Sequence, residues 1–277
     1  MTDQEIRAGM EEIVKVHGAW TAHDIHLSEK ISTYPGWRQW SADGARRYMQ
    51  IAADITRKPW EEISFLDLGC LEGLYAIEAG LRGCKRSVGI EIREQHIVKA
   101  EFAKKVLGLT NTQFLLEDVR GLSRERHGTF DIILCNGLLY HLDTPDVFTL
   151  LARMREMTTC ALIIDTHIAL MPERTEVHDG HVYAGSSLVE FLAGTPLEIQ
   201  LKKAHWSSAG NERSFWPTKP SLLNALRHAG FTSVYESFVP YQPHTSDRLT
   251  LVALPGTDDP PRAAAPAFAS PVDWPES

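Results

Sequence analysis

Two histidines stand just past apolar runs, His141 in "GLLYHL" and His167 in "IIDTH". An imidazole that titrates near neutral pH can take a proton from an attacking oxygen or nitrogen, so both are candidate general bases. The competing role for each is to orient or pack. His23 and His26 sit in an aromatic-rich stretch, and His178, His181 and His205 in a later one. Three acids close successive apolar runs: Asp67 in "FLDLG", Glu91 in "VGIEI" and Asp118 in "LLEDV". Any one of them alone would pass for a solvated strand end. Asn136 ends a fourth run, "FDIILCN", and offers an amide. Asp165, His167, His178 and His181 have ligand chemistry suited to a first-row metal ion. Their spacing matches no recognisable site, so the expectation is that no metal is held.

The elements that must position these groups follow a rhythm. "ISFLDLG", "KRSVGIEI", "TQFLLED", "TFDIILCN" and "CALIIDTH" read as strands that are apolar almost throughout, as when both sheet faces are covered. Helical stretches, "GLYAIEAGLRG", "EQHIVKAEFAKKVLG" and "DVFTLLARMREM", separate them, the last begun by Thr144 and Pro145. Such alternation predicts an α/β fold with a doubly wound, Rossmann-like parallel sheet. "FTSVYESFV" and "DRLTLVAL" are too close for a helical crossover and are expected to pair antiparallel, completing seven strands with the last one reversed.

The turn after the first strand, Asp67, Gly69 and Gly73 in D-x-G-x-x-x-G, lies where such sheets bind ligands. No Lys-Ser or Lys-Thr follows, which argues against a phosphate loop. The contest is between a nicotinamide dinucleotide and S-adenosylmethionine. Glu91 could accept both ribose hydroxyls of either. Three features favour S-adenosylmethionine. The turn is not G-x-G-x-x-G, Asp67 would repel a pyrophosphate yet suit an amino group, and Asp118 could meet the adenine amine. Asn136 could hold the methionine end or the acceptor.

The flanks carry the rest. Residues 3–17 and 40–55 read as helices, with "WTAHDIHLSEKISTYPGWRQW" between them as a loop-rich lid. Residues 168–216 read as an irregular insertion with a short helix near "SSLVEFLAG". His23, Trp37, Arg213 and Trp216 are the substrate-side candidates from these two segments. The expected organisation is an N-terminal helical lid at 1–58, a main domain at 59–254 with a substrate cap at about 168–216, and an unstructured Pro- and Ala-rich tail at 255–277. The four cysteines have no C-x-x-C spacing and read as buried free thiols. No apolar run is long enough to span a bilayer, and the charged N-terminus lacks a signal core, so a cytoplasmic location is expected. The net charge of −8 argues against a broad nucleic-acid footprint. A small-molecule acceptor is expected instead; nothing in the sequence fixes the oligomeric state.

As a set, "FLDLGCLEGLYAIEAG", "VGIEI", "LLEDV" and "FDIILCNGLLYHL" resemble the successive motifs of class I S-adenosylmethionine-dependent methyltransferases over about residues 60–166. "LDLGCLEGLYA", "LLYHL", "SFWPTKPSLLNALRHAGF" and the upstream "WTAHDIHLSEKISTYPG" are similar to one branch. That branch includes the tRNA uridine-34 carboxymethyltransferase and small-molecule relatives. The chain departs from it in "EK" where "DG" is usual and in Leu71 after the cysteine. The resemblance implies methyl transfer to an oxygen or nitrogen of a metabolite, with wobble-uridine modification as the alternative; outside it, a dinucleotide-dependent dehydrogenase is the more distant rival. A basic face from Arg46, Arg47, Lys202 and Lys203 would favour tRNA.

Overall fold

The computed structural model describes residues 1–203, 206–238, 246–257 and 273–275. Helix α1 (Asp3–His17) opens at Thr2, whose hydroxyl accepts the Glu5 amide while the Glu5 carboxylate accepts the Thr2 amide. This reciprocal cap satisfies two otherwise orphaned donors. A short hairpin, β1 (His26–Ser28) and β2 (Ile31–Ser32), leads into α2 (Arg38–Thr56).

The regular alternation follows. Strands β3 (Ser64–Leu68), β4 (Arg86–Glu91), β5 (Thr112–Leu116), β6 (Phe130–Asn136) and β7 (Thr158–His167) are separated by α3 (Leu74–Leu81), α4 (Glu94–Leu107), α5 (Arg124–His127) and α6 (Asp146–Met157). The next elements are β8 (Arg174–His178), β9 (His181–Val189), α7 (Leu197–Lys203), β10 (Arg213–Pro217) and α8 (Lys219–His228). Strands β11 (Ser233–Glu236) and β12 (Arg248–Leu254) close the chain's regular structure.

Seven strands form one sheet in the order β11-β12-β7-β6-β3-β4-β5. Strand β12 runs antiparallel to both neighbours, and the pairs among β3 to β7 are parallel. The seven-stranded fold with a reversed last strand is thus the one expected. The order turns back between β3 and β6, which opens a crevice at their carboxyl ends. Alternate residues serve opposite faces. Leu66, Ile133 and Leu162 pack with Phe148, Leu151 and Leu226. Phe65, Ile132 and Ile163 pack with Met49, Ile77 and Ala100 on the other side.

The insertion departs from expectation. It is a three-stranded antiparallel sheet, ordered β10-β9-β8. Ser186–Val189, where a helix was expected, finish β9, and the helix lies further on as α7. The overlooked signal was "HDGH". Asp179 and Gly180 take positive φ of 50° and 80°, the turn that Asp-Gly favours in hairpins, and they pair His178 with His181. His205 and most of the expected tail lie outside the described residues. Within the tail, the Trp274 amide donates to Asn224 and its carbonyl accepts from the same side chain, at 2.9 and 3.0 Å. No helix among the described residues is long and apolar enough to cross a membrane.

Candidate functional site

A cavity of about 860 Å³ lies at the carboxyl ends of β3, β4, β6 and β7. Its floor is the β3 turn. Its roof comes from two directions: Trp37 to Tyr48 of the N-terminal segment, and Trp206 to Ala209 of the insertion. Trp37 and Trp206 meet at 5.3 Å between ring centroids, so the two segments close over the crevice together.

One end of the cavity is lined by the glycine turn and two acids. Gly69 lines it with φ of 67°, and a Cβ there would press on Leu138 at 3.3 Å. Glu91 is almost wholly buried at the end of β4. One oxygen accepts the Leu71 amide at 3.1 Å, which pins the turn, and the other accepts the Arg93 amide at 2.9 Å. Burial nonetheless raises its pKa above the ordinary carboxylate range. Asp118 lines the same end and is gripped by Arg120, whose Nε lies 3.0 Å from its Oδ2.

The opposite end holds two histidine–carboxylate pairs. His141 Nδ1 lies 2.9 Å from Oε1 of Glu190, and His167 Nδ1 lies 3.0 Å from Oδ2 of Asp247. The Tyr140 ring sits between the imidazoles, 4.3 Å from one and 4.8 Å from the other. With Nδ1 turned to an acid, each ring presents Nε2 as its proton-accepting nitrogen. Trp216 stacks on His167 at 5.1 Å and donates its indole N–H to the Tyr140 carbonyl. It therefore backs the wall rather than lining it.

Below them lies a buried network. Asp165 accepts from Arg47 at 3.1 Å, from Arg248 at 2.6 Å and from the Thr250 hydroxyl at 2.5 Å. Tyr48 donates to Asn136, whose amide donates to Tyr75 at 3.3 Å. Asn136, Arg47 and Arg248 all line the cavity. His23 lines it too. Burial holds its pKa down at about 4, so it is neutral at pH 7.

Several sequence-based placements need correction. Asp67 lies beneath the turn and does not line the cavity. It is buried, burial raises its pKa well above the usual range, and its Oδ2 has no partner among the described residues. Gly73 is demanded by packing rather than by a ligand. Its φ is 88° and a Cβ would come within 2.6 Å of Phe114. Arg213 is exposed on β10 and takes no part in the cavity. The possible metal ligands Asp165, His167, His178 and His181 are not brought together. Asp165 is committed to two arginines, His178 stacks on Phe148 and His181 on His228. Of the basic residues whose clustering would favour tRNA, Arg47 turns inward to Asp165 and Lys202 pairs with Glu198.

Sequence reasoning missed Glu190, Asp247, Arg47, Arg248 and the 206–209 roof. These partners lie 49 to 118 residues from the groups they serve, beyond any spacing rule. Arg93 and Arg120 did carry a signal: each stands two residues past an acid that lines the cavity.

Residues 65–159 match the family model described as a methyltransferase domain. The chain is 27% identical over 225 residues to a tRNA U34 carboxymethyltransferase of Shewanella loihica, covering 76% of this chain and 63% of that protein. It thus spans somewhat under two thirds of that relative's length. The Helicobacter pylori protein of the same name is 29% identical over 136 residues, 45% of this chain and 51% of that one. Among solved structures, the N-terminal domain of EvdMO1 with SAH bound superposes with a TM-score of 0.71 at 23% identity, covering 92% and 98% of the two chains. The Burkholderia thailandensis 1,6-didemethyltoxoflavin-N1-methyltransferase follows the same fold, with a TM-score of 0.53 at 18% identity and 93% and 92% coverage.

Proposed function

We propose that the chain is a class I S-adenosylmethionine-dependent methyltransferase that methylates an oxygen or nitrogen of a small metabolite, with His167 as general base. The observation that carries this reading is an enclosed cavity with acids at one end and two oriented imidazoles at the other. The residues present fit the cofactor. Glu91 and Asp118 suit ribose hydroxyls and an adenine amine, and Gly69 permits close approach of the backbone.

S-adenosylmethionine supplies a methyl carbon activated by its sulfonium. Bound here, it would give that methyl to an acceptor oxygen or nitrogen and be left as S-adenosylhomocysteine. The acceptor's proton passes to His167 Nε2, while Asp247 holds the ring's Nδ1–H and stabilises the imidazolium. The work left to the chain is alignment and the exclusion of water. Trp37 and Trp206 close the roof over the reacting groups, and Tyr140 and Trp216 fix the His167 ring between them.

One observation favours a second reading. Arg47 and Arg248 share the single carboxylate of Asp165, which leaves one surplus positive charge at the cavity wall. A carboxylate would suit it, whether on the acceptor or on a transferred group. The relatives' name, tRNA U34 carboxymethyltransferase, describes transfer of such a group to tRNA. The net charge of −8 opposes a polyanionic partner. Incubation with labelled S-adenosylmethionine and, in separate arms, metabolite extract and bulk tRNA tests the two. Label in a small molecule supports the first reading, label in tRNA supports a tRNA acceptor, and label in neither overturns methyl transfer to both.

A further inference from the structure

The two acids at the cofactor end are each followed, two residues on, by an arginine: Glu91-Ile-Arg93 and Asp118-Val-Arg120. The acids and the arginines all line the cavity, and the guanidinia also reach across it to the chain beyond. Arg93 donates to the carbonyls of Ser207 and Ser208 at 2.9 and 3.1 Å. Arg120 donates to the Ala209 carbonyl at 2.5 Å while its Nε holds Asp118. Both guanidinia therefore grip the strap at 207–209 that roofs this end of the cavity. The grip is close-fitting. Gly210 has φ of 82°, and a Cβ there would lie 2.4 Å from the Arg120 guanidinium.

The strap also reaches the reacting end. The Ser208 amide donates to Oε2 of Glu190 at 3.2 Å, and Oε1 of the same carboxylate holds His141. Asn211, just past the strap, donates to the His141 carbonyl at 2.9 Å. Glu190 is held below the ordinary carboxylate range by these donors, His141 foremost, against the cost of its burial. A continuous set of contacts thus runs from Glu91 and Asp118, through the arginines and the strap, to the His141 ring.

We infer that Arg93 and Arg120 are positioning residues that make the strap, and with it the orientation of His141, depend on cofactor occupancy, so that the acceptor binds after the cofactor. The inference rests on the assignment of this cavity to S-adenosylmethionine. A ligand on Glu91 and Asp118 fixes the acids that the arginines brace against. It also lies under the strap and gives it a surface to close on. With the strap down, Glu190 is anchored and the His141 imidazole is held in one tautomer. With the strap loose, Glu190 loses its Ser208 donor and the acceptor side is unfinished. Coupling of this kind requires an element that both sites bias, and the strap is that element.

The test uses the full chain and S-adenosylhomocysteine as the probe, so it needs no acceptor. Three quantities are read in wild type, R120Q and G210A: probe affinity by calorimetry, amide hydrogen exchange at 206–211, and the His141 imidazole resonances across pH by NMR. In wild type the probe should slow exchange at 207–210 by at least about tenfold, the equivalent of one charge-assisted hydrogen bond, and shift the His141 titration. R120Q removes the grip directly. G210A crowds the Arg120 guanidinium off the strap while both Asp118 and Arg120 keep their charges. Both variants should still bind the probe through Glu91 yet lose the protection and the His141 response. Protection and titration that follow the probe equally in all three proteins would overturn the inference and leave the cofactor assignment standing. A wild type that shows no calorimetric binding at all would overturn that assignment, and the inference with it.

Discussion

Glu91 offers the sharpest measurement on the cofactor end. Its carboxylate is almost wholly buried and accepts two backbone amides, of Leu71 and Arg93. A ligand's hydroxyls would add a third and fourth donor to lone pairs that remain. Glu91→Ala removes a charged acceptor, and such hydrogen bonds are worth about 1.5–3 kcal/mol. The dissociation constant for S-adenosylhomocysteine should therefore rise by roughly 10- to 150-fold. The same substitution strands the Leu71 amide, and Leu71 holds a positive φ of 47° that few side chains tolerate. A stability loss of about 1–3 kcal/mol should accompany the affinity loss. Glu91→Gln separates the two effects. It keeps one oxygen for a backbone donor but turns an NH₂ toward the other, so it should spare more stability than affinity. The assay is calorimetric titration at 25 °C beside urea unfolding without ligand, so that affinity is read on protein known to be folded. Folded Glu91→Ala that binds the probe within about threefold of wild type, a difference of less than 1 kcal/mol, would refute the ribose assignment and the placing of the cofactor in this crevice.

His167→Ala should lower turnover by ~100-fold or more with probe affinity unchanged, and Asp247→Asn should act in the same direction but less, as steady-state kinetics on the true acceptor would show. If His141 is the base instead, the larger loss will follow His141→Ala. His23 is buried neutral, with its pKa moved from 6.5 to about 4. Between those values the unfolded chain binds more protons, so stability is full above pH 6.5 and falls as the pH drops toward 4. The interval is worth up to about 3 kcal/mol, and urea titrations of His23→Gln at pH 7 and 4.5 should show a flatter dependence. Gly73→Ala should cost on the order of 2–4 kcal/mol through its collision with Phe114 and its positive φ, while folded protein binds the probe normally. A chain ending at Gly256 loses the partly exposed Asp273–His228 pair and the Trp274 contacts, and its melting temperature should fall by only a few degrees because exposed pairs contribute about 1 kcal/mol or less.

The sheet was legible because its signals are local. Apolar runs of strand length, separated by capped helices, specify which residues are buried whatever lies far along the chain. The reversed last strand followed from one length, the short connection before β12. The insertion misled for an equally local reason. Its strands are half-buried and polar, with Gly185, Ser186 and Ser187 interrupting the alternation that marks a strand. What holds that sheet is pairing across its own hairpin and to β10, twenty-four or more residues downstream of Val189, and Asp-Gly was the one cue in the sequence to the first of these.

The site divides along the same line. Glu91, Asp118 and Asn136 could be placed in the crevice from strand ends alone, because the sheet topology carries every carboxyl end to one edge. Asp67 shows where that logic stops. A strand end says that a side chain is near the turn, but the alternation of the strand decides whether it points into the cavity or under it. The histidine end depends on pairs that no spacing encodes. His141 and His167 were visible as histidines past strand ends, and only the fold shows that each is matched to an acid from a different part of the chain, Glu190 from the insertion and Asp247 from the loop before β12. Because both acids come from segments that the sheet itself does not need, the imidazoles' orientation can change with those segments while the cofactor end is preserved. Acceptor specificity in this chain is therefore expected to reside in the insertion and in the connection before Arg248, and exchanging the insertion outside the strap at 206–211 should change the acceptor while largely sparing the affinity for S-adenosylhomocysteine.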